Sequence, residues 1–447
     1  VSELHDKYTG NKLFEDQLTK KQKQDRAKLE QKINKLQAEI DDLKNNEIYR
    51  NAFEWRFEFP EVLDDEGNFM GFDVVIGNPP YVFGGNEGIS DIEKSYFKNY
   101  YNTGKGKINL FALFIEKSHQ ILSKEYEFTF IIPNTFLRVT SYNLSRKFMV
   151  NNFQINTIYD FGDRVFDDAV TTSIVITATK KFKPKNYNVN IIGKKNIVLS
   201  KNDIVANNYI ITLNIDKKSL SLINKINKDE NIPLGEICRE MIFGVVITKN
   251  KDNVVSNTPI KNWKPFLEGK EIGPYYIGKI KQWLNYKPEL LHRPRSSSIF
   301  EAEEKILIQR ITGGKRPLKA AYDNKQHYNK ESINNIILKN NSPVKTKYVL
   351  ALINSKLINW YYTLQFTNES NLTVNLSKTY LSQIPINTKP DKTEDFIINK
   401  VDQIIQQKQQ DPSADTSALE AEIDEMVYDL YGLTEEEREI VEEGVGP

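Results

Sequence analysis

The stretch Phe72-Asp-Val-Val-Ile-Gly-Asn-Pro-Pro-Tyr-Val82 decides how the rest of the chain is read. Phe72 to Ile76 is short, apolar and rich in β-branched residues, the composition of a strand covered on both faces. Gly77 ends it. Pro79 and Pro80 then remove two backbone donors and fix two φ angles, so the segment suits neither a helix nor a central strand. A rigid loop should therefore follow the carboxyl end of the strand, presenting the amide of Asn78 and the ring of Tyr81. Open α/β sheets bind their ligands at that end. A bare Pro-Pro pair would read as a turn closing a strand. Asn before it and Tyr after it favour a functional loop.

Working outward, strand and helix patterns alternate. A polar, Gly-containing stretch follows the loop, then an apolar helix INLFALFIEKSHQIL (108–122) and a strand FTFIIP (128–133). A helix around SYNLSRKFMVNN (141–152) comes next, then strands INTIYDF (155–161) and TSIVITATK (172–180) flanking the turn GDRVFDDAVT. That order is the signature of a doubly wound α/β sheet. Upstream, Leu29, Ile33, Leu36, Ile40 and Leu43 form a short heptad seam, expected to dock on another helix or on the body. From about Leu220 short strands and Lys-, Asn-, Tyr- and Gly-rich loops take over. KILIQRI, TGGKRP and LKAAYD read as strand, basic turn and strand, a hairpin aimed at something acidic. Lys305, Arg310, Lys315, Arg316 and Lys319 cluster around it as candidate phosphate contacts. Its Gly-Gly-Lys is not a P-loop, because GxxxxGK[ST] and a following helix are missing. YVLALINSKLINWYYTLQF (348–366) reads as one amphipathic helix with core aromatics. Ser417 with Glu420 and Thr434 with Glu437 fit capping boxes opening two short helices.

Composition bounds the function. The chain has 447 residues, 39% hydrophobic and 27% charged, enough for two or three globular domains of a soluble protein. No apolar run approaches the roughly 20 residues that span a bilayer, and the start VSELHDKYTG lacks a signal-peptide core. Cys238 is the single cysteine, so no disulfide framework exists, and neither it nor the four scattered histidines has metal-ligand spacing. A reducing cytosol is the expected compartment. From Asp411 onward thirteen acidic residues face Arg438 alone, which leaves residues 1–410 at about +13 beneath a net charge of +1. A basic body with an acidic end suits a nucleic-acid binder, and equally a Lys-rich protein with a solvated helical end.

Asn78-Pro79-Pro80-Tyr81 resembles motif IV of the DNA amino-methyltransferases, Asn/Asp/Ser-Pro-Pro-Tyr/Phe/Trp. KINLFALFIEKS, FIIPNTFL and GDRVFDDAVTTSIVI are similar to motifs V, VI and VIII of the gamma-class adenine-N6 enzymes. GEICREMIFGV, LEGKEIGPYY, KILIQRITGGKRP, LINSKLINWYY and LSKTYLSQIPI are similar to a TaqI-like target-recognition domain. ADTSALEAEIDEMVYDLYGLTEEE resembles the tail of Type IIG restriction-modification proteins. The resemblance implies an α/β fold: the C-terminal half of a doubly wound Rossmann-like methyltransferase sheet, then an α+β target-recognition domain and a short helical C-terminal extension. Its parts would be a helical insertion or connector with the heptad seam (1–50), half of the catalytic domain (51–185), a linker (186–219), the recognition domain (220–395) and an acidic helical extension (396–447).

The activity implied is methyl transfer from S-adenosyl-L-methionine to the amine of an adenine flipped out of double-stranded DNA. The Asn78 oxygen and the Pro79 carbonyl would accept the amine hydrogens, favouring positive charge on an otherwise delocalised nitrogen. Tyr81 would stack on the extruded base and Phe166 on its other face, with Lys107 beside the pocket. The sequence departs from the family in one respect. Its cofactor fingerprint, F-x-G-x-G after the first strand, and the acidic residue for the cofactor ribose should precede motif IV, and neither is found. No cofactor-binding residue is therefore assigned. The chain reads as a C-terminal fragment, inactive alone, whose partner is the missing N-terminal half of the same polypeptide. Mg2+ would serve only an upstream nuclease domain. Two rival readings stand beside this one: a non-catalytic DNA sequence-specificity module, and an RNA or protein amide methylase.

Overall fold

The computed structural model describes residues 20–44, 53–84, 88–161, 172–194, 196–213, 215–228, 230–247, 254–367 and 374–446. They divide into two units. Val1–Pro133, Leu144–Thr157 and Ile174–Lys185 make the first; Asn134–Asn143, Ile158–Ser173 and Asn186–Pro447 make the second.

The first unit opens with helix α1 (Lys20–Lys44). The heptad seam lies on it, but Leu36 and Ile40 are exposed, so there the seam faces solvent instead of docking. Next come β1 (Phe72–Gly77), α2 (Asp91–Tyr100), α3 (Leu110–Ile121), β2 (Leu122–Pro133), α4 (Asn143–Asn152), β3 (Phe153–Asp160) and β4 (Ser173–Lys180). The alternation read from the sequence is present. β1 runs parallel to β2, with Val75 opposite Phe128 and Gly77 opposite Phe130. In the sheet these strands are ordered β1-β2-β4-β3, so the last of them in sequence is inserted before the third. A polar ladder crosses that insertion. Asn156 Nδ2 of β3 donates to Thr179 Oγ1 of β4 at 2.9 Å, and Thr179 donates to Glu127 Oε1 of β2 at 2.8 Å.

β1 is not covered on both faces as its composition suggested. It stands at the edge of the sheet order, and Val74 and Ile76, two residues apart on one face, are 58% and 76% exposed. Only its start is enclosed: the Phe72 ring meets Trp55, Phe59 and Phe69 edge-on. Gly71 has a φ of +90°, and a Cβ there would sit 2.8 Å from Ile121 O, so the approach of β1 to the end of α3 requires glycine.

The second unit has two four-stranded sheets. One is antiparallel throughout, in the order β9 (Ala320–Asp323), β8 (Lys305–Gln309), β10 (Ile333–Leu338), β7 (Cys238–Phe243). Thus KILIQRI and LKAAYD do form a hairpin, with Ile308 opposite Ala320 across the TGGKRP turn. The second sheet joins Tyr328–Asn329, Lys264–Leu267, Gln282–Leu284 and Val255–Ser256. Residues 186–219, read as a linker, carry the antiparallel strands β5 (Asn188–Ile192) and β6 (Ile197–Ser200) and a short helix Lys201–Ala206.

Helices complete the unit: α5 (Lys217–Ile226), α6 (Thr346–Asn354), α7 (Lys356–Phe366), α8 (Thr393–Gln410), α9 (Ser417–Leu430) and α10 (Glu435–Val445). The single helix expected over 348–366 is two. Ser355 leaves helical geometry (φ −62°, ψ 154°) and its hydroxyl accepts from Ile358 N, capping α7. Trp360, Tyr361 and Tyr362 are buried, as core aromatics should be. The acidic end is packed: α9 lies on α8, and α10 lies on α7 and α5. The Thr434–Glu437 capping box is present. At α9 the cap position is Thr416, one residue before the expected Ser417, and the Thr416 hydroxyl bonds Glu420 at 2.7 Å.

Lys305 is the largest departure from expectation. Its side chain is fully buried, pairs with Asp323 Oδ2 at 2.7 Å and donates to Phe300 O at 2.5 Å. Asp323 also accepts from His327 Nδ1 at 2.8 Å. Burial alone would raise the Asp323 carboxyl, but the His327 hydrogen bond and the Lys305 charge hold it down, at about 2. Lys305 therefore belongs to the core and is withdrawn from the DNA contacts. Lys305→Ala would strand Asp323, and removing one partner of a buried pair costs about 3–5 kcal/mol. Thermal unfolding should show a drop of several degrees.

His119 lies edge-on between Phe148 and Phe153. Burial, with the Lys180 ammonium, pushes its imidazolium down to about 4 from an ordinary 6.5. Between these values the unfolded chain binds the proton better. Stability is therefore intact above pH 6.5 and falls as pH drops toward 4. In urea titrations from pH 7 to 4, His119→Phe should lose less stability than the wild type.

Candidate functional site

The loop begins where β1 runs out. Gly77 is the last residue paired with β2, and Asn78 beyond it is exposed, while Pro79 is buried and Pro80 exposed. The Asn78 amide makes no side-chain hydrogen bond among the described residues and faces outward as a free donor and acceptor. Tyr81 is half-buried and held through both its hydroxyl and its ring. Its hydroxyl donates to Ile131 O of β2 at 3.0 Å, and its ring meets Phe111 edge-on, with centroids 6.2 Å apart at 87°. The ring is thus aimed by the neighbouring strand and by α3.

The chain beyond Tyr81 is stitched to the segment entering α3. Leu110 N donates to Val82 O and Gly84 N to Ile108 O, both at 3.0 Å, with Phe83 bridging Asn109 antiparallel. Hence the NPPY loop and KINLFALF are one structural piece. Asn109, which sequence reading did not single out, is buried and caps α3 by accepting from Phe111 N. Glu116 was also missed. Its buried carboxylate accepts from Asn102 N, Asn102 Nδ2, Thr103 N and Thr103 Oγ1 at 2.8–3.0 Å, pinning the polar stretch ahead of α3. A glutamate on the apolar face of a helix is the signal that could have revealed it. Lys107 is exposed, its ammonium 5.0 Å from the Phe83 ring centroid. Phe166 lies outside the described residues.

The basic residues of the second unit separate into distinct environments. Lys315 is exposed and Lys319 half-buried. Arg316 donates to Asn354 O at 3.0 Å, at the end of α6. Its charge also reaches Asp424, whose carboxyl burial pushes up to about 6 although Lys356 N donates to it at 2.8 Å. Arg310 is half-buried, with its guanidinium 4.7 Å from the Phe243 ring centroid. On the same ring sits Arg295, at 4.4 Å, a residue of HRPRSSS that sequence reading passed over. Among the described residues no group of three or more His, Cys, Asp or Glu could hold a metal ion, and no helix is long and apolar enough to cross a membrane.

Comparison with known proteins bears on both units. Residues 7–166 match the Eco57I restriction-modification methylase family, and residues 264–386 match the TaqI-like C-terminal specificity domain. The first match includes α1, so the helical segment falls within the methylase span. A putative type II restriction enzyme and methyltransferase of Methanocaldococcus jannaschii is 27% identical over 326 residues, 69% of this chain and 26% of that protein. The type II restriction enzyme and methyltransferase RM.Eco57I of Escherichia coli is 32% identical over 115 residues, 25% of this chain and 11% of that protein. The chain thus spans about a quarter or less of these two relatives. Among solved structures, the Type IIL restriction-modification enzyme MmeI in complex with DNA aligns with a TM-score of 0.55 and 12% identity, over 88% of this chain and 59% of that one. The chain carries an Eco57I-type restriction-modification methylase domain and, after it, a TaqI-like C-terminal specificity domain.

Proposed function

We propose that this chain is the carboxyl part of a site-specific DNA adenine-N6 methyltransferase within a larger restriction-modification polypeptide. One observation carries the reading: an exposed amide, Asn78, on a proline-fixed loop at the carboxyl end of a strand, beside a tyrosine ring anchored to the next strand. Strand order β1-β2-β4-β3 supports the carboxyl half of a Rossmann-like methyltransferase sheet, with the loop-bearing strand at one side and the last strand inserted. The aligned MmeI structure is a complex with DNA, which supports DNA as substrate.

In this reading the Asn78 oxygen and the Pro79 carbonyl accept the two hydrogens of an extruded adenine's amine. The proline-fixed backbone holds the Pro79 carbonyl before the base arrives, so part of the positive charge building on the nucleophilic nitrogen is met without reorganisation. Tyr81 offers a ring that need not turn, and Phe166 supplies the opposing wall. The methyl donor implied is S-adenosylmethionine. The described residues do not fit it: among them no strand with a Gly-rich loop precedes β1, and the bare Val74–Ile76 face offers no polar group to a ribose or carboxylate. The rival reading is a DNA-specificity module that carries the methylase half without catalysis. In both readings the second unit binds duplex DNA, through cations of the hairpin turn, the exposed Lys315 and the half-buried Lys319, and through Arg310, with Arg316 partly engaged by the fold.

A methylation-competent form of the enzyme separates the readings. Asn78→Ala should lower the methylation rate about 10²- to 10³-fold, with affinity for duplex sites within a few-fold of wild type. Normal methylation by the variant would reduce the loop to a turn.

Tyr81 tests the stacking role independently. Tyr81→Phe keeps the ring and loses the bond to Ile131, so stability should fall by about 1 kcal/mol while base extrusion persists. Tyr81→Ala removes a stacking contribution of roughly 1–3 kcal/mol. With 2-aminopurine at the target position, the fluorescence change on binding should survive in the Phe variant and shrink in the Ala variant.

A further inference from the structure

Phe243 ends β7, and two guanidiniums meet its ring. Arg295 Cζ is 4.4 Å and Arg310 Cζ 4.7 Å from the centroid, so their separation cannot exceed the sum of those distances. Each is tethered by one backbone carbonyl: Arg295 Nε donates to Phe243 O at 3.1 Å, and Arg310 Nη1 to Glu331 O at 3.2 Å. Glu331 offers Arg310 its carbonyl and not its carboxylate, and neither arginine has an ion pair among the described residues. Arg293 is exposed two residues from Arg295. Burial, reinforced by the Arg293 charge, holds the Arg295 guanidinium below its ordinary range.

Close positive charges that no acid neutralises are unfavourable until an anion joins them. The arrangement is also prepared for one. A guanidinium has five N–H donors in a rigid fork, and a single carbonyl bond leaves most of them available. Seating both planar groups on one ring fixes their direction before a ligand arrives. A base edge is uncharged and would leave the repulsion in place, whereas a phosphate relieves it and accepts the forked bonds. We propose that Arg295 and Arg310, seated on Phe243 and flanked by Arg293, clamp a backbone phosphate of duplex DNA, apart from the Lys315–Lys319 turn. The clamp rests on the reading of the second unit as a DNA-binding specificity domain.

Binding of the 447-residue chain to two unrelated duplexes, followed by fluorescence anisotropy across a salt series, tests the clamp. Arg295→Gln and Arg310→Gln should each weaken binding equally on both sequences and make the slope of log affinity against log salt shallower by about 0.9 per lost phosphate contact. Melting temperatures should stay near wild type, and should Arg295→Gln fail to fold, Arg310→Gln and Arg293→Gln carry the same measurement. Unchanged slopes overturn the clamp, as does a loss confined to one sequence at constant slope, which would mean base reading. Equal affinity for duplex RNA overturns the assignment to DNA. A wild-type chain that binds neither duplex sinks the specificity-domain reading and the clamp with it. Wild-type binding with unaffected variants sinks the clamp alone.

Discussion

The hydroxyl of Tyr81 donates to Ile131 O, and the direction of the loop's ring depends on that bond to the neighbouring strand. Pro79 and Pro80 have no amide hydrogen, and the ladder of β1 stops at Gly77. Prolines narrow the conformations of the loop in the unfolded chain as well as in the folded one, so ordering it costs less. The remaining restraint comes from outside: Pro79 buried, Tyr81 fixed to β2 and to Phe111, and Val82–Gly84 bonded to Ile108–Leu110. A single net hydrogen bond contributes only about 1 kcal/mol, yet here it sets the direction of a ring. Asn78 is then left as the outward polar group on a backbone with few ways to move.

In the second unit the decisive question for each cation is whether the fold already uses it. Lys305 is neutralised by Asp323 inside the sheet, and Arg316 is partly engaged by Asn354 O and by the field at Asp424. Lys225 and Lys356 are paired to Glu437 and Glu442 of α10, both at 2.6 Å. A count of basic residues therefore overstates the charge open to a polyanion. A buried pair such as Lys305–Asp323 contributes modestly to net stability, but losing one member is costly. That asymmetry distinguishes a structural cation from a binding one: the first affects melting when removed, the second affects the salt dependence of binding.

Local pattern made much of this legible. The order of strands and helices around β1, the β8–β9 hairpin and the Thr434 capping box each follow from residues near one another in sequence. What stayed hidden depends on distant partners. Lys305 begins KILIQ, and nothing in those five residues says whether its side chain points inward. That is set by the antiparallel register, which places it opposite Asp323. β1 reads as a buried strand because its composition is that of one, while its exposure is decided by which strands stand beside it. Within 348–366, good helix formers flank Ser355 on both sides, and only the cap geometry shows the break. Arg295 went unnoticed because its partner, Phe243, lies more than fifty residues away, although the reading of the loop itself needed only the order Asn-Pro-Pro-Tyr after a strand.

The acidic end and the arginines on Phe243 are linked by this accounting of charge. Thirteen acidic residues lie from Asp411 onward, and cations drawn from α5, α7 and α8 meet them, where Lys225, Lys356 and Lys400 pair with Glu437, Glu442 and Glu422. Arg438, the lone cation of that segment, pairs within it to Glu425 and Asp429. These pairs are short-ranged under salt, because charges separated by more than about 8–10 Å are screened from one another. The segment therefore neutralises its immediate neighbours and leaves more distant positive charge uncompensated. Arg293, Arg295 and Arg310 have no such partner among the described residues, and two of them are held on an aromatic ring that cannot quench their charge. A fold that pairs its helical lysines so thoroughly while leaving three arginines together has concentrated its positive field where a phosphate could meet it.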